Sequence, residues 1–388
     1  MTTRPRGFSG ANREAGALMI DRKLVVLWAG NPWDGLPATD HHLARALAAF
    51  VDVIWVDPPL SVLNTRRVVP GLDQVADGLQ VLRVSTVPGA SRSGLRQVAE
   101  ASQRAALAAV SKGRRPWASI AASPRVSLPS RGAGVRVLHV TDDWVAGAPM
   151  MGLDAGWIEQ VLRRNVRTAE VVSAVSVDLA QLLQRMNPRH LVQIIPNAAT
   201  VPDEVPTVQR ERVAVLVGQL NERLDVDLLD AIVDAGVPLR ILGPRTEREP
   251  EQKARLDALL ARPEVDWRGP VAHAEVVGLL ASSAVGITPY AVNDFNRASF
   301  PLKTLEYLAL GLPAVSTRLD SLDWLGTDLV DVADSPSDFA ELVRRRADEP
   351  RDEALEARRR AFADEHSWRA RAEQLVAVIE RRNPGAPV

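Results

Sequence analysis

The sequence contains no cysteine, which excludes disulfides, thiolate metal sites, iron–sulfur clusters and cysteine nucleophiles together. It has no run near the roughly 18 uninterrupted apolar residues that a membrane-crossing helix needs. Residues 1–22 lack the apolar centre of a secretory signal, so a cytoplasmic protein is expected. An excess of either charge is also missing: the formal net charge is −1, which argues against a surface built for nucleic acid. Lysine is scarce beside arginine and occurs at Lys23, Lys112, Lys253 and Lys303, so each position merits attention.

What is present is enough chain for two cores. The 388 residues are more than twice the roughly 150 at which a single compact domain is most common. Hydrophobic residues make up 46% and charged residues 24%, as in ordinary globular proteins. Short β-branched runs alternate with helical patterns: LVVLW at 24–28, TDHHLARALAAF at 39–50, DVIWV at 52–56. Further strand candidates are LQVLRV at 79–84, VRVLHV at 135–140, EVVSAV at 170–175 and LVQII at 191–195. Runs that are apolar on both faces point to buried parallel sheets.

After a polar, proline-containing stretch the alternation restarts with VAVLV at 213–217, LRILG at 239–243, VDWRG at 265–269, VGITP at 285–289 and AVST at 314–317. The fold class is therefore α/β: two tandem Rossmann-like doubly wound domains around an interdomain cleft. The expected divisions are a flexible tail over 1–22, a first domain over 23–200, a linker over 201–212, a second domain over 213–365 and a final helical segment over 366–388. In such sheets ligands sit beyond the carboxyl ends of the strands, so a site shared by both domains is expected. Neither half opens with Gly-x-Gly-x-x-Gly, which disfavours a nicotinamide dehydrogenase.

One segment, SFPLKTLEYLALGLPAVST at 299–317, can be followed residue by residue. Ser299 suits a cap, Pro301 a first turn, and Gly311 with Pro313 a helix end. Leu302, Leu305 and Ala309 form an apolar stripe, while Lys303 and Glu306, three apart, share another face near the helix start. A cation, a carboxylate and the amides of Leu302 and Lys303 at a helix N-terminus suit a nucleoside diphosphate: amides and ammonium on the phosphates, carboxylate on the ribose diol. An exposed ion pair worth about 0.2–0.5 kcal/mol is the alternative.

PLKTLEYLALGLPAVST resembles the signature of retaining GT-B glycosyltransferases, the family-four or group-one enzymes of bacterial cell-surface polysaccharide synthesis. IIPNA at 194–198, VLVGQLNERLDVDLL at 215–229 and VDWRGPVAHAEVVGLLASSAVGITPY at 265–290 fit the same pattern. The resemblance implies transfer of a sugar from a nucleotide sugar to a glycan or lipid-linked acceptor, with retention of configuration and with no cofactor beyond the donor. Glu306 corresponds to the second acid of that group's Glu-x7-Glu motif; the first falls on Ala298, where that acid would touch the donor sugar. Asp294, Asn296, Arg297 and Ser299 are the candidates to replace it. The arginine that usually follows the first glycine of the second domain is Gln219, so Arg223 becomes the diphosphate clamp, with Gly218, Gly243 and Arg268 beside the nucleotide. Trp267 is either a base contact or core.

In the first domain, GNPWDGLPATDHHLARAL at 30–47 resembles the family's loop over diphosphate and acceptor, with Gly35, Asp40 and His41 as candidates. Thr39 or Asp40 could equally serve as a helix cap. Asp142 and Asp143, after the strand VRVLHV, either line the cleft as catalytic or acceptor-side groups, together with Lys303, or begin the next helix. His139 reads as a core histidine rather than a base. Asp142-Asp143 is not Asp-x-Asp, and Asp225 and Asp227 sit at a helix start, so no metal is expected.

From Arg83 to Arg136 the chain carries ten basic residues and a single acid, Glu100. This stretch is either a solvated helical face or a surface that rests on anionic lipid headgroups. A nucleotide-sugar epimerase of similar fold and a catalytically inactive sugar-nucleotide-binding relative are the alternative functions.

Overall fold

The computed structural model describes residues 22–35, 38–61, 71–86, 95–202, 204–300 and 302–382. The first domain runs β1 (Leu24–Trp28), α1 (Thr39–Leu47), β2 (Asp52–Val56), β3 (Leu60–Ser61), β4 (Gly71–Ala76), β5 (Leu79–Arg83), β6 (Ser85–Thr86) and α2 (Leu95–Val110). It continues with β7 (Ala118–Ala121), β8 (Val135–Val140), α3 (Ala155–Thr168), β9 (Val171–Ala174), α4 (Val177–Met186) and β10 (Gln193–Ile194). Eight of these strands form one sheet in the order β10-β9-β8-β7-β1-β2-β5-β4. All its pairings are parallel except β4 with β5, a hairpin at the edge.

The second domain runs β11 (Glu211–Val217), α5 (Val226–Asp234), β12 (Leu239–Leu242), α6 (Pro250–Leu260), β13 (Val265–Trp267), α7 (His273–Ala281) and β14 (Ser283–Thr288). Then come α8 (Asp294–Ala298), α9 (Leu302–Ala309), β15 (Ala314–Thr317), α10 (Asp320–Leu325), β16 (Val330–Ala333), α11 (Pro336–Asp348), α12 (Glu353–Glu365) and α13 (Trp368–Arg382). Its six-stranded sheet, β13-β12-β11-β14-β15-β16, is parallel throughout. The central strands of both sheets are buried along their length, which is why their sequences are apolar without alternation. Helix α13 leaves the second domain and buries Trp368, Ala372, Leu375 and Ile379 in the core of the first, against α1. Trp368 also stacks on His42 at a ring separation of 5.6 Å. No helix among the described residues is long and apolar enough to cross a membrane.

Two close backbone approaches set the second domain's strand ends. A Cβ on Gly243 would lie 1.9 Å from the carbonyl oxygen of Gly218, so β11 and β12 can meet there only through glycine. A Cβ on Gly286 would lie 2.2 Å from the ring of Tyr307, so α9 seats directly on β14.

Candidate active site

Helix α9 is held from below by its buried face. The Tyr307 hydroxyl accepts the Val217 N–H at 3.1 Å and donates to the Ile287 carbonyl at 3.2 Å, tying α9 to β11 and β14 at their carboxyl ends. Thr304 and Thr288 share a buried hydroxyl–hydroxyl bond of 3.2 Å. With Thr304 and Tyr307 turned inward, Lys303 and Glu306 fall on the other face, and their charged groups pair at 2.7 Å while partly open to solvent. The Leu302 amide, expected to face phosphate, donates instead to the Phe300 carbonyl at 2.8 Å, which removes it from the anion-binding set.

Arg223 is positioned by a residue expected to touch the sugar. Asn296 is fully buried; its Oδ1 accepts from Arg223 Nε at 2.9 Å, and its Nδ2 donates to the carbonyls of Arg223 and Ala291. The guanidinium lies between the rings of Tyr290 and Phe295, 5.1 and 5.0 Å from their centres. The preceding Glu222 accepts the N–H groups of Arg248 and Glu249, and despite the opposing effect of burial those bonds hold its pKa below the ordinary value. The Arg223 loop is thus pinned to the start of α6.

The first domain meets this constellation through Asp142. Ser299 Oγ lies 3.0 Å from Asp142 Oδ1 and 2.9 Å from the Phe295 carbonyl, so its single proton serves one of them at a time. Burial raises the Asp142 pKa, while Arg223 and the hydroxyls of Ser299 and Thr141 draw it back toward the charged form. A Cβ on Gly147 would come within 2.5 Å of the Phe295 ring, so the turn after Asp142 is packed against α8. Asp142, Ser299, Arg223 and the start of α9 therefore converge where the two sheets' carboxyl edges face each other.

Other expected residues fall elsewhere. Asp143 accepts the Val145 and Ala146 N–H groups through Oδ1 and so shapes its own turn. His41 is fully buried between Trp33 and Trp55, with Nδ1 3.0 Å from the buried Asp40, so this pair anchors the loop from inside instead of touching an acceptor. Gly35 closes a turn onto the Pro32 carbonyl, and residues 36–37 lie outside the described part.

In α8, the Asp294 side chain is 94% exposed and faces solvent. Arg297 lies near the facing carboxylates of Asp178 and Asp320, where burial and Asp320 push the Asp178 pKa up and Arg297 opposes them. No side chain of α8 described here puts an acid in the place of Ala298, and Asp142 from the other domain is the carboxylate that Ser299 touches. Arg268 pairs with Asp266 at 2.9 Å on the exposed end of β13, and Trp267, 40% exposed, donates to the Gly243 carbonyl, so it is not core. Gly218 has open space on its Cβ side, as a backbone approach to a ligand requires. His139 is buried beside Ser173, and desolvation lowers its pKa to about 4.

Two facing Rossmann-like sheets with a last helix that crosses back define a GT-B protein. Residues 222–377, which contain Arg223, α9 and the first ten residues of α13, match the family described as "Glycosyl transferase-like". Over 121 residues the chain is 33% identical to a Bacillus subtilis (strain 168) protein described as a teichuronic acid biosynthesis glycosyltransferase, TuaH. That match spans 30% of this chain and 30% of that protein. The fold is shared with sucrose-phosphate synthase of Thermosynechococcus elongatus (TM-score 0.72, 15% identity, 94% of this chain and 100% of that one). It is also shared with Anabaena HepE, solved with UDP and glucose (TM-score 0.67, 13% identity, 93% and 100%).

Proposed function

We propose that the protein is a glycosyltransferase that moves a sugar from a nucleoside-diphosphate sugar to a glycan or lipid-linked acceptor, with retention and without a metal ion. The observation that carries this reading is the Lys303–Glu306 pair at the start of α9, which follows closely on Ser299, the residue that meets Asp142. TuaH, the relative of the matching segment, is described as acting in teichuronic acid synthesis, and HepE was solved with UDP and glucose. A bound donor separates the ion pair: Lys303 and Arg223 turn to the diphosphate, and Glu306 accepts from the ribose hydroxyls.

The acceptor hydroxyl then bonds to the anomeric carbon on the face the leaving group vacates. The carbon–oxygen bond to the diphosphate breaks with its electron pair, and the hydroxyl proton passes to the departing phosphate oxygen. Lys303 and Arg223 stabilise the negative charge developing there, and ionised Asp142 stabilises the positive charge on the sugar. Nucleotide sugars incubated one at a time with the protein test this: nucleoside diphosphate should be released from one of them, with an α- or β-product of unchanged anomeric configuration by NMR. No release from any donor, or inversion, contradicts it.

The same reading puts the enzyme peripherally on the inner face of the membrane. Support comes from α2, whose outward side carries Leu95 and Val98, the latter 48% exposed. The basic stretch itself is not one surface. Arg83, Arg114 and Arg136 pair with Asp34, Asp52 and Glu170, acids from outside the stretch, and Arg131 and Arg125 sit at opposite ends of the sheet. Cosedimentation with anionic but not neutral vesicles, weakened in Val98→Asp, is the expected result; equal pelleting with both vesicle types contradicts it.

A further inference from the structure

A cavity of about 320 Å³ lies in the first domain, beyond the carboxyl ends of β1 and β2 and beneath α2. Trp28, Val56, Leu153 and Trp157 give it an apolar lining. Among the described lining residues stand Arg96, Arg104 and Arg125, with Glu100 the only acid, so this described lining is net positive. Glu100 lies 3.7 Å from Arg104, and the Arg96 guanidinium stacks 3.7 Å over the Trp157 ring. Trp28 is 6% exposed, and its indole Nε1–H has no hydrogen-bond acceptor among the described residues. A buried donor left unpaired is unfavourable, and the residue that carries it is part of the cavity lining.

The position of this cavity sets its relation to the chemistry. Strands β8, β7 and β1 are consecutive and parallel, so Asp142 after β8 and Gly30 after β1 lie on one edge. Two strand spacings separate them, about 10 Å. A molecule whose hydroxyl reaches Asp142 can therefore place a neighbouring group, not the reacting sugar itself, in the cavity. Leu95 and Val98, on the same helix α2, are exposed apolar side chains.

We infer that this cavity holds the anchor of the acceptor, an apolar chain joined through phosphate to the sugar that is extended. The chain root packs on Trp28, Leu153 and Trp157. The phosphate oxygens meet Arg125 and Arg96, and the rest of the chain leaves along α2 toward the bilayer. Arginine suits the phosphate through its paired donors, and a neutral glycan would leave this charge unmatched. The inference rests on the proposed transferase reading, whose donor half is measured separately.

The test is calorimetric, on the full chain, with dodecyl phosphate below its micelle concentration, dodecyl maltoside and inorganic phosphate as probes. Dodecyl phosphate should bind one to one, and each of the other two at least about tenfold more weakly, because each satisfies only half of the lining. Arg125→Glu, an exposed substitution, should weaken dodecyl phosphate about tenfold or more, and Trp28→Phe by a smaller factor, with nucleoside-diphosphate affinity unchanged in both. Equal affinity for dodecyl maltoside, no effect of Arg125→Glu, or no binding of dodecyl phosphate overturns the inference. Dodecyl phosphate binding without any nucleoside-diphosphate binding sinks the donor reading and leaves the cavity assignment standing.

Discussion

In the second domain a single helix of eight residues carries the cation and the carboxylate of the proposed donor site, and its inward face, through Thr304 and Tyr307, fixes both to the ends of β11 and β14. In the first domain no single segment does this. Asp142 follows β8, while the cavity beside it draws on the ends of β1 and β2, on α2 and on α3. On the proposed reading, donor recognition is local in sequence and rigidly backed, whereas the acceptor side is assembled from distant segments. Perturbations of α9 should then act on every donor-dependent step, and perturbations of the first domain on the acceptor alone.

The largest expected effect is that of Lys303→Ala, which removes the ammonium where charge develops on the leaving group. A fall of about 10²–10³ in kcat is expected, in donor hydrolysis as well as transfer. Loss of transfer with hydrolysis intact would move Lys303 to the acceptor side and break the contrast. Next is Tyr307→Phe, which strips the Val217 N–H and the Ile287 carbonyl of their shared hydroxyl. It should cost about 1–3 kcal/mol in the denaturant-unfolding transition and weaken nucleotide binding through the backing of α9.

Asn296→Ala separates positioning from direct contact. Freed of its Nε acceptor, Arg223 should lose its alignment and kcat/KM fall about tenfold. The double variant with Arg223→Ala should be no worse than Arg223→Ala alone, because the two act as one unit. Additive losses would instead give Asn296 a role of its own. The smallest effect is that of Ser299→Ala. In the proposed mechanism Asp142 is ionised, so activity should be lost as pH falls through its raised pKa; without the Ser299 hydroxyl that pKa rises further and the acidic limb of the kcat/KM profile should move to higher pH. An unmoved limb would assign the ionisation to another group.

The same contrast explains what could be read from the sequence. The alternation of LVVLW, DVIWV and VRVLHV with helical patterns disclosed two parallel sheets because buried strands carry apolar residues on both faces. Strand β7 (ASIA) escaped, since small residues in the centre of a sheet give no β-branched signal, and β4 escaped because GLDQVA is half-exposed at an edge. Lys303 and Glu306 were legible because one helix face displays both.

His41 follows a turn-rich loop and reads as a contact to diphosphate or acceptor; only the enclosure by Trp33 and Trp55 shows that it faces inward. Asn296 and Asp294 are near neighbours in one segment, yet a short helix buries the first and exposes the second, which the sequence pattern did not separate. The contact of Ser299 with Asp142 joins residues 157 positions apart, and no local pattern encodes it.

Calorimetric titration of UDP, GDP, ADP and TDP into the wild-type chain and into Glu306→Ala goes most directly to the central claim, that the start of α9 grips a nucleoside diphosphate. One of the four should bind, with an affinity about 10–100-fold weaker in the variant, the loss expected for a charged hydrogen-bond acceptor on the ribose. Failure of all four to bind, or equal affinity for both proteins, would contradict it.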